Sequence, residues 1–201
     1  MIKVFNIHEG LFYGILDLKA FSLQHHDVSK RDIETLGKNY LLAHLTSDTT
    51  QLIYDNRGKP HLEGDSRHIS ISHSHDRLVI IINEKEETGI DIELLRDKVL
   101  KIKHKFLSSS ELIDAHDDVE KLLIYWAAKE TLYKIYGLKE VDFIKHLTID
   151  PFMKQTHGKL NGFINLSNFN AWFELNYQLI DNYTLVYALK KQLLANENNT
   201  Y

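Results

Sequence analysis

The order of periodic segments along the chain is the feature that most restricts its fold. Alternating or apolar segments bounded by turn residues predict strands at 2–7, 51–55, 68–72, 77–83 and 88–93. Between the first two, a stripe of apolar residues with helical spacing predicts a helix over 29–45, with Ser29 as its N-cap. The first part of the chain therefore combines one helix with several short strands.

The second part of the chain begins with helices and ends with strands. Ser108 followed by Glu111 predicts a capping box at the start of a short helix, and Asp117 with Glu120 predicts a long helix that ends at Gly137. Further strands are predicted at 145–150, 160–165, 171–179 and 183–190, the last pair forming a hairpin. This order predicts an α+β fold made of two α+β halves, which we place at 1–87 and 88–201.

Composition excludes several classes of protein. The 201 residues contain no cysteine, which removes disulfides and Cys-ligated zinc and fits a reducing, cytoplasmic location. The longest aliphatic run, at 78–82, is far too short to span a bilayer, so we expect no membrane insertion. A formal net charge of −4 gives no basic footprint for nucleic acid.

Residues 88–93, TGIDIE, place two acids in an otherwise apolar strand. Side chains alternate along an extended chain, so Asp91 and Glu93 share one face, opposite Ile90 and Ile92. Like charges repel and are costly to desolvate. The pattern predicts either a solvated strand end or a cation-binding site.

The long helix carries a second polar stripe, since Trp126, Glu130 and Lys134 are each four residues apart. Glu130 and Lys134 can simply form an ion pair on the helix surface, worth a few tenths of a kcal/mol. If the stripe faces the core instead, Glu130 is a third carboxylate for an all-oxygen site suited to Mg²⁺. Lys134 would then neutralise a phosphate bound to the metal.

Two further segments offer donors for an anion. The turn at 56–60 presents Lys59, and Ser72 and His73 end a strand with groups suited to phosphate oxygens. An exposed loop lysine and a polar strand end are the alternatives. A cluster of lysines follows the acidic strand, either as a solvated face or as a docking site for an acidic partner: Lys98, Lys101, Lys103 and Lys105.

Five motifs occur in a fixed order: GKPHL, ISISHS, TGIDIE, KFLSSSE and WAAKETLYK. Together they resemble the 4′-phosphopantetheinyl transferase superfamily, of the surfactin-synthetase-activating type. The resemblance implies two similar α+β halves related by a pseudo-two-fold axis, with the active site in the cleft between them. It also implies coenzyme A as substrate and Mg²⁺ as cofactor.

The resemblance implies roles for individual residues. Asp91, Glu93 and Glu130 correspond to the Mg²⁺ ligands, and Glu130, Lys134 and Asp91 to the catalytic residues. Contacts to coenzyme A are implied for six residues: Lys59, Ser72, His73, Lys38, Lys129 and Lys134.

Two positions depart from the family pattern or match it loosely. Lys38 is the best match to the base that meets the 3′-phosphate, with Arg31 or Lys30 as alternatives. Ala127 stands where relatives commonly carry a small hydroxyl or thiol residue, which removes one possible hydrogen bond.

The reaction implied is transfer of phosphopantetheine to a serine of an acidic acyl or peptidyl carrier protein. The expected docking contacts are Lys101, Lys103, Lys105, Phe106 and Leu107, and two fused halves indicate a monomer. The alternatives are a coenzyme A-binding protein without transferase activity, a Mg²⁺-dependent phosphohydrolase and an interaction module. Turnover of coenzyme A by water alone would indicate the hydrolase. A lack of Mg²⁺-dependent coenzyme A binding would indicate the interaction module.

Overall fold

The computed structural model describes residues 2–25, 27–46 and 50–193. Contacts between Cα atoms divide the chain into two compact units, Met1–Ile92 and Glu93–Tyr201. This division falls inside the strand Ile90–Leu94, whereas the expected boundary after residue 87 stays a prediction. The α+β class is confirmed, because each unit combines helices with antiparallel strands.

The first unit contains all four strands predicted within residues 1–87. Its elements are β1 Ile2–His8, β2 Leu11–Asp17, α1 Leu18–Ser22, α2 Lys30–Thr46, β3 Leu52–Tyr54, β4 Pro60–Leu62, β5 His68–Ser74 and β6 Arg77–Asn83. Strands β1, β2, β6 and β5 form an antiparallel sheet in that order, and β3 pairs with β4. The strand β2 and the helix α1 were not predicted. The strand was missed because it is buried on both faces and shows no polar alternation.

Helix α2 covers this sheet. Its apolar stripe includes Ile33, Leu41 and Leu42, which belong to the same core cluster as Leu78 and Ile80 of β6. Helix α2 packs closely against Leu18 of α1 at Gly37, where an added Cβ would lie 2.7 Å from Leu18 Cδ2. Of the apolar stripe predicted from the sequence, Ile33, Leu41 and Leu45 contribute to the core of this unit, whereas Leu36 and Tyr40 are exposed.

The second unit is built on a five-stranded sheet. Its elements are the end of β7 Ile90–Leu94, the strand in which the division falls, followed by α3 Lys98–Ile102, the 3₁₀ helix Lys103–Lys105, α4 Ser109–Ala115, α5 Val119–Tyr136, β8 Leu147–Ile149, β9 His157–Leu166, β10 Phe169–Ile180 and β11 Tyr183–Leu193. The strand order is β7-β11-β10-β9-β8, and β8 to β11 pair antiparallel. The predicted hairpin of β10 and β11 is confirmed.

Helix α5 packs against this sheet and supplies much of the core. Alternate residues of β10 are buried, among them Phe173 and Leu175, and they share a core cluster with Leu122 and Leu132 of α5. Because most faces of α5 are buried, its sequence shows no clean amphipathic pattern.

The observed ends of α4 and α5 can be compared with the predicted caps. The capping box of Ser108 and Glu111 is confirmed, and Gly137 ends α5 with φ 69° and an N–H that donates to the Tyr133 carbonyl. Asp117 as the N-cap is wrong by one residue. Asp118 has the extended backbone of a cap and accepts from the Lys121 N–H, whereas Asp117 lies in the left-handed turn after α4 with φ 57°.

Within the part of the chain that the structure describes, no helix is both long enough and apolar enough to span a membrane.

Candidate functional site

The carboxylate of Asp91 is buried in β7. The residue is 3% exposed, and its Oδ1 accepts a hydrogen bond of 2.7 Å from the Ser72 hydroxyl of β5. Ser70 lies two residues before Ser72 and on the same face of β5. Its hydroxyl accepts a hydrogen bond of 3.2 Å from the Ile90 N–H. Two serines of the ISISHS segment thus fix the start of β7 and the orientation of its first acid.

Glu93 is the second acid of β7, and it is half-buried. Its Oε1 accepts a hydrogen bond of 2.9 Å from the indole N–H of Trp126 on α5. The bond fixes the Glu93 carboxylate against the helix that carries the third predicted ligand. No local pattern in the sequence indicates this contact, because Glu93 and Trp126 are more than thirty residues apart.

Glu130 and Lys134 follow Trp126 at successive turns of α5. Both are half-buried, while Lys129 and Thr131 on either side of Glu130 are completely buried. Residues four apart rise about 6 Å along a helix and lie on one face. The predicted stripe is therefore present on α5, at the edge of its buried surface, on the side where Trp126 meets Glu93.

Lys129, for which a contact to coenzyme A is expected, makes its contacts inside the second unit. Its ammonium is completely buried and donates to Glu111 Oε2 at 2.7 Å, to the Phe106 carbonyl at 2.8 Å and to the Phe143 carbonyl at 2.9 Å. Burial lowers the pKa of Lys129, and the facing Glu111 carboxylate opposes that shift. An ammonium has three donors, and all three have acceptors within this unit. The predicted contact of Lys129 to coenzyme A stays a prediction.

Glu111 is the residue that sequence reasoning missed. It is 2% exposed, and besides Lys129 it accepts from the Ser108 N–H at 2.8 Å and the Ile149 N–H at 3.0 Å. The capping box in KFLSSSE was visible in the sequence, but the burial of its glutamate was not. A glutamate that both caps a helix and pairs with a motif lysine links α4, α5 and β8.

The residues of the first unit that are predicted to contact an anion all lie beside other side chains of that unit. Lys59 is 15% exposed and pairs with Glu87 Oε2 at 2.6 Å, and His73 Nε2 lies 3.4 Å from Glu34 Oε2. The ammonium of Lys38 lies 5.9 Å from the centre of the Tyr54 ring. The Ser72 hydroxyl donates its hydrogen bond to Asp91. The contacts of these four residues to coenzyme A stay predictions.

Two of the expected docking residues are not on the surface. Phe106 and Leu107 are 1% and 2% exposed and belong to the core cluster of the second unit. Their expected role as apolar contacts for a carrier is therefore wrong, because a partner cannot reach them. Lys101 and Lys105 are exposed, and Lys103 pairs with Asp117.

The donor set suits a hard divalent cation. Asp91 and Glu93 offer carboxylate oxygens whose orientation is fixed by Ser72 and Trp126, and Mg²⁺ prefers oxygen ligands. Among the residues that the structure describes, no group of three or more histidine, aspartate or glutamate side chains has the arrangement of a metal site. The three-carboxylate Mg²⁺ site stays a prediction.

Comparison with known proteins gives the family. The model of the 4′-phosphopantetheinyl transferase superfamily matches residues 87–188, which include β7, α5 and most of the second unit's sheet. This chain belongs to that superfamily.

A curated relative agrees with this assignment. The chain is 26% identical over 110 residues to the 4′-phosphopantetheinyl transferase AcpT of Escherichia coli O157:H7. The alignment covers 51% of this chain, and it spans only a little over half, 56%, of the relative's own length.

Proposed function

We propose that this protein transfers the 4′-phosphopantetheine group of coenzyme A to a serine of an apo carrier protein and releases adenosine 3′,5′-bisphosphate. The observation that carries the proposal is the family match over 87–188, which contains both acids of β7 and the Glu130–Lys134 stripe of α5. The name of the curated relative supports the same reaction class. We also propose the surfactin-synthetase-activating type, on the five motifs in order.

The proposed cofactor is Mg²⁺, held by Asp91, Glu93 and Glu130. When bound, it would withdraw charge from the pyrophosphate of coenzyme A. The fixed orientation of Asp91 by Ser72 and of Glu93 by Trp126 supports this ligand set, because preorganised carboxylates need no rearrangement on binding.

The residues of α5 would carry out the transfer itself. A serine hydroxyl is a poor nucleophile at neutral pH, and Glu130 would accept its proton as the oxygen attacks the β-phosphorus. A new bond forms between the serine oxygen and phosphorus, and the bond from phosphorus to the bridging oxygen breaks. Lys134 would stabilise or protonate the departing phosphate.

The first unit would hold the nucleotide end of coenzyme A. Lys59, His73 and Lys38 each carry a side chain that can meet a phosphate or ribose, and Lys59 and His73 are already oriented by Glu87 and Glu34. Binding of an anion at Lys59 would compete with the Glu87 carboxylate. Ser72 and Lys134 complete the set of proposed contacts, whereas Lys129 is completely buried and its three donors already have acceptors.

The proposed protein partner is an acidic carrier that docks on exposed lysines of α3 and the 3₁₀ helix. Lys101 and Lys105 are exposed, and opposite charges raise the rate of encounter. We propose a monomer in the cytoplasm, and the absence of cysteine supports a reducing compartment.

The test is transfer to an apo carrier protein. Purified protein is incubated with coenzyme A, Mg²⁺ and each of several apo carriers, and the phosphopantetheine mass shift is measured. Glu130→Gln and Asp91→Asn should lower the rate by about 100-fold, as expected when a metal ligand is lost. The matched control is Glu120→Gln on the same helix, since Glu120 pairs with Lys154 in the first turn.

Circular dichroism of each variant shows whether the fold is kept. The absence of a mass shift with every carrier, or full activity in EDTA, would contradict the proposal. Release of adenosine 3′,5′-bisphosphate without a carrier would instead indicate a hydrolase. Mg²⁺-dependent coenzyme A binding without turnover would indicate a binding protein.

A further inference from the structure

The buried ammonium of Lys129 fixes two backbone segments in the second unit. It donates to the carbonyl oxygens of Phe106, just after the 3₁₀ helix, and Phe143, in the segment between α5 and β8. Its third donor goes to Glu111, which is itself held by the Ser108 and Ile149 N–H groups. All of these groups lie within Glu93–Tyr201.

The side chains of these two phenylalanines enclose the indole of Trp126. The Phe106 ring meets it edge to face, with centroids 4.9 Å apart and planes at 69°. The Phe143 ring stacks on it, with centroids 5.7 Å apart and planes at 24°. Both contacts have the geometry that aromatic pairs prefer. The orientation of the indole therefore depends on two rings whose own backbones are bonded to Lys129.

The indole N–H in turn meets an acid of β7. Trp126 Nε1 donates to Glu93 Oε1 at 2.9 Å, the usual length of an N–H···O hydrogen bond. A continuous set of contacts thus runs from Lys129 through Phe106 and Phe143 to Trp126 and ends on Glu93.

We propose that Trp126 and Lys129 are positioning residues that fix the Glu93 carboxylate for cation binding, with Lys129 acting through the aromatic enclosure of Trp126. The role of the Glu93 carboxylate in cation binding rests on the proposed function. The contacts of Trp126 and Lys129 do not depend on it. This assigns the first lysine of the WAAKETLYK motif a role away from coenzyme A and explains why it is buried. Neither residue needs to touch substrate.

The first experiment measures the exchange of the Trp126 indole proton with solvent by NMR, on metal-free protein. The chain has two tryptophans, so Trp172→Phe assigns the signals. We expect Lys129→Met/Glu111→Gln, which leaves no lone carboxylate in the core, to speed exchange at Trp126 about tenfold. The control is Lys121→Met, which removes a lysine of the same helix that pairs with Asp114. It should leave the exchange unchanged.

A folded Lys129→Met/Glu111→Gln protein with unchanged exchange at Trp126 would overturn the role of Lys129. If that variant does not fold, Phe143→Leu replaces it, because it removes one wall of the enclosure and keeps the backbone carbonyl. The same rise in exchange is expected, and unchanged exchange would again overturn the proposal.

The second experiment measures cation binding. Trp126→Phe keeps an aromatic ring in the enclosure but removes the N–H together with the rest of the pyrrole ring, so the Kd for Mn²⁺ by calorimetry should rise about tenfold. The Mg²⁺ concentration for half-maximal transfer should rise equally, with kcat at saturating Mg²⁺ little changed, while Trp172→Phe should leave both unaltered.

An unchanged Mn²⁺ Kd in Trp126→Phe would overturn the positioning role. If the wild-type protein transfers nothing, the proposed function fails, while the exchange and Mn²⁺ measurements still decide whether Trp126 and Lys129 position Glu93.

Discussion

Replacing Lys129 with methionine should destabilise the second unit strongly. Methionine has a similar volume, but it leaves Glu111 with a buried charge and two carbonyl oxygens without their donor. Removing one partner of a buried ion pair costs about 3–5 kcal/mol. Both partners are almost fully buried, at 0% and 2% exposure, so we expect the upper half of that range. The double variant Lys129→Met/Glu111→Gln should lose only about 1–2 kcal/mol, because no unpaired charge remains.

The assay is urea unfolding at pH 7, followed by far-UV circular dichroism and tryptophan fluorescence. With a slope of about 2 kcal/mol per M, a loss of 4 kcal/mol lowers the midpoint by about 2 M. The four proteins of the cycle give the coupling energy between the two side chains. The reasoning is refuted if Lys129→Met is within about 1 kcal/mol of the wild type, or if the double variant is no more stable than the single one.

Two further predictions concern the second unit. Burial raises the pKa of Asp114, but hydrogen bonds from Tyr125 and Lys121 outweigh it and hold the pKa below the usual 3.8. A lowered pKa adds stability that is present above about pH 4 and lost as the pH falls through the folded value. The loss of unfolding free energy in Asp114→Asn should therefore shrink between pH 6 and pH 2.5, and an equal loss at both would contradict the assignment. Gly137→Ala should cost about 1 kcal/mol in urea unfolding, because an alanine Cβ is strained at φ 69°, and a neutral result would show that α5 ends differently.

Sequence reasoning succeeded where the chemistry is local. The capping box at Ser108, the stop at Gly137 and the strands β6 and β10 follow from spacing and from backbone preferences of single residues. It failed at β2, where burial on both faces removes the alternation on which strand prediction depends. It misplaced the cap of α5 by one residue, since Asp117 and Asp118 are chemically identical and only the backbone conformation separates them.

The candidate site divides in the same way. That Asp91 and Glu93 share a face of a strand, and that Trp126, Glu130 and Lys134 share a face of a helix, follows from the periods of the two structures. The environment of Lys129 could not be predicted from this periodicity, because a lysine next to these residues can equally face solvent, contact a substrate or lie in the core. Its burial depends on an acid from α4 and on carbonyls that are distant in sequence.

The sequence by itself determined the α+β class, the main helix and strand positions and the motifs that identify the superfamily, because all of these depend on residues close together in the chain. Only the tertiary structure decided which polar groups are paired. Asp91 accepts from Ser72, Glu93 from Trp126, and Lys129 is enclosed with Glu111. The physical reason is that burying a charge is costly unless a partner is supplied, and the partner comes from whichever segment the fold brings beside it.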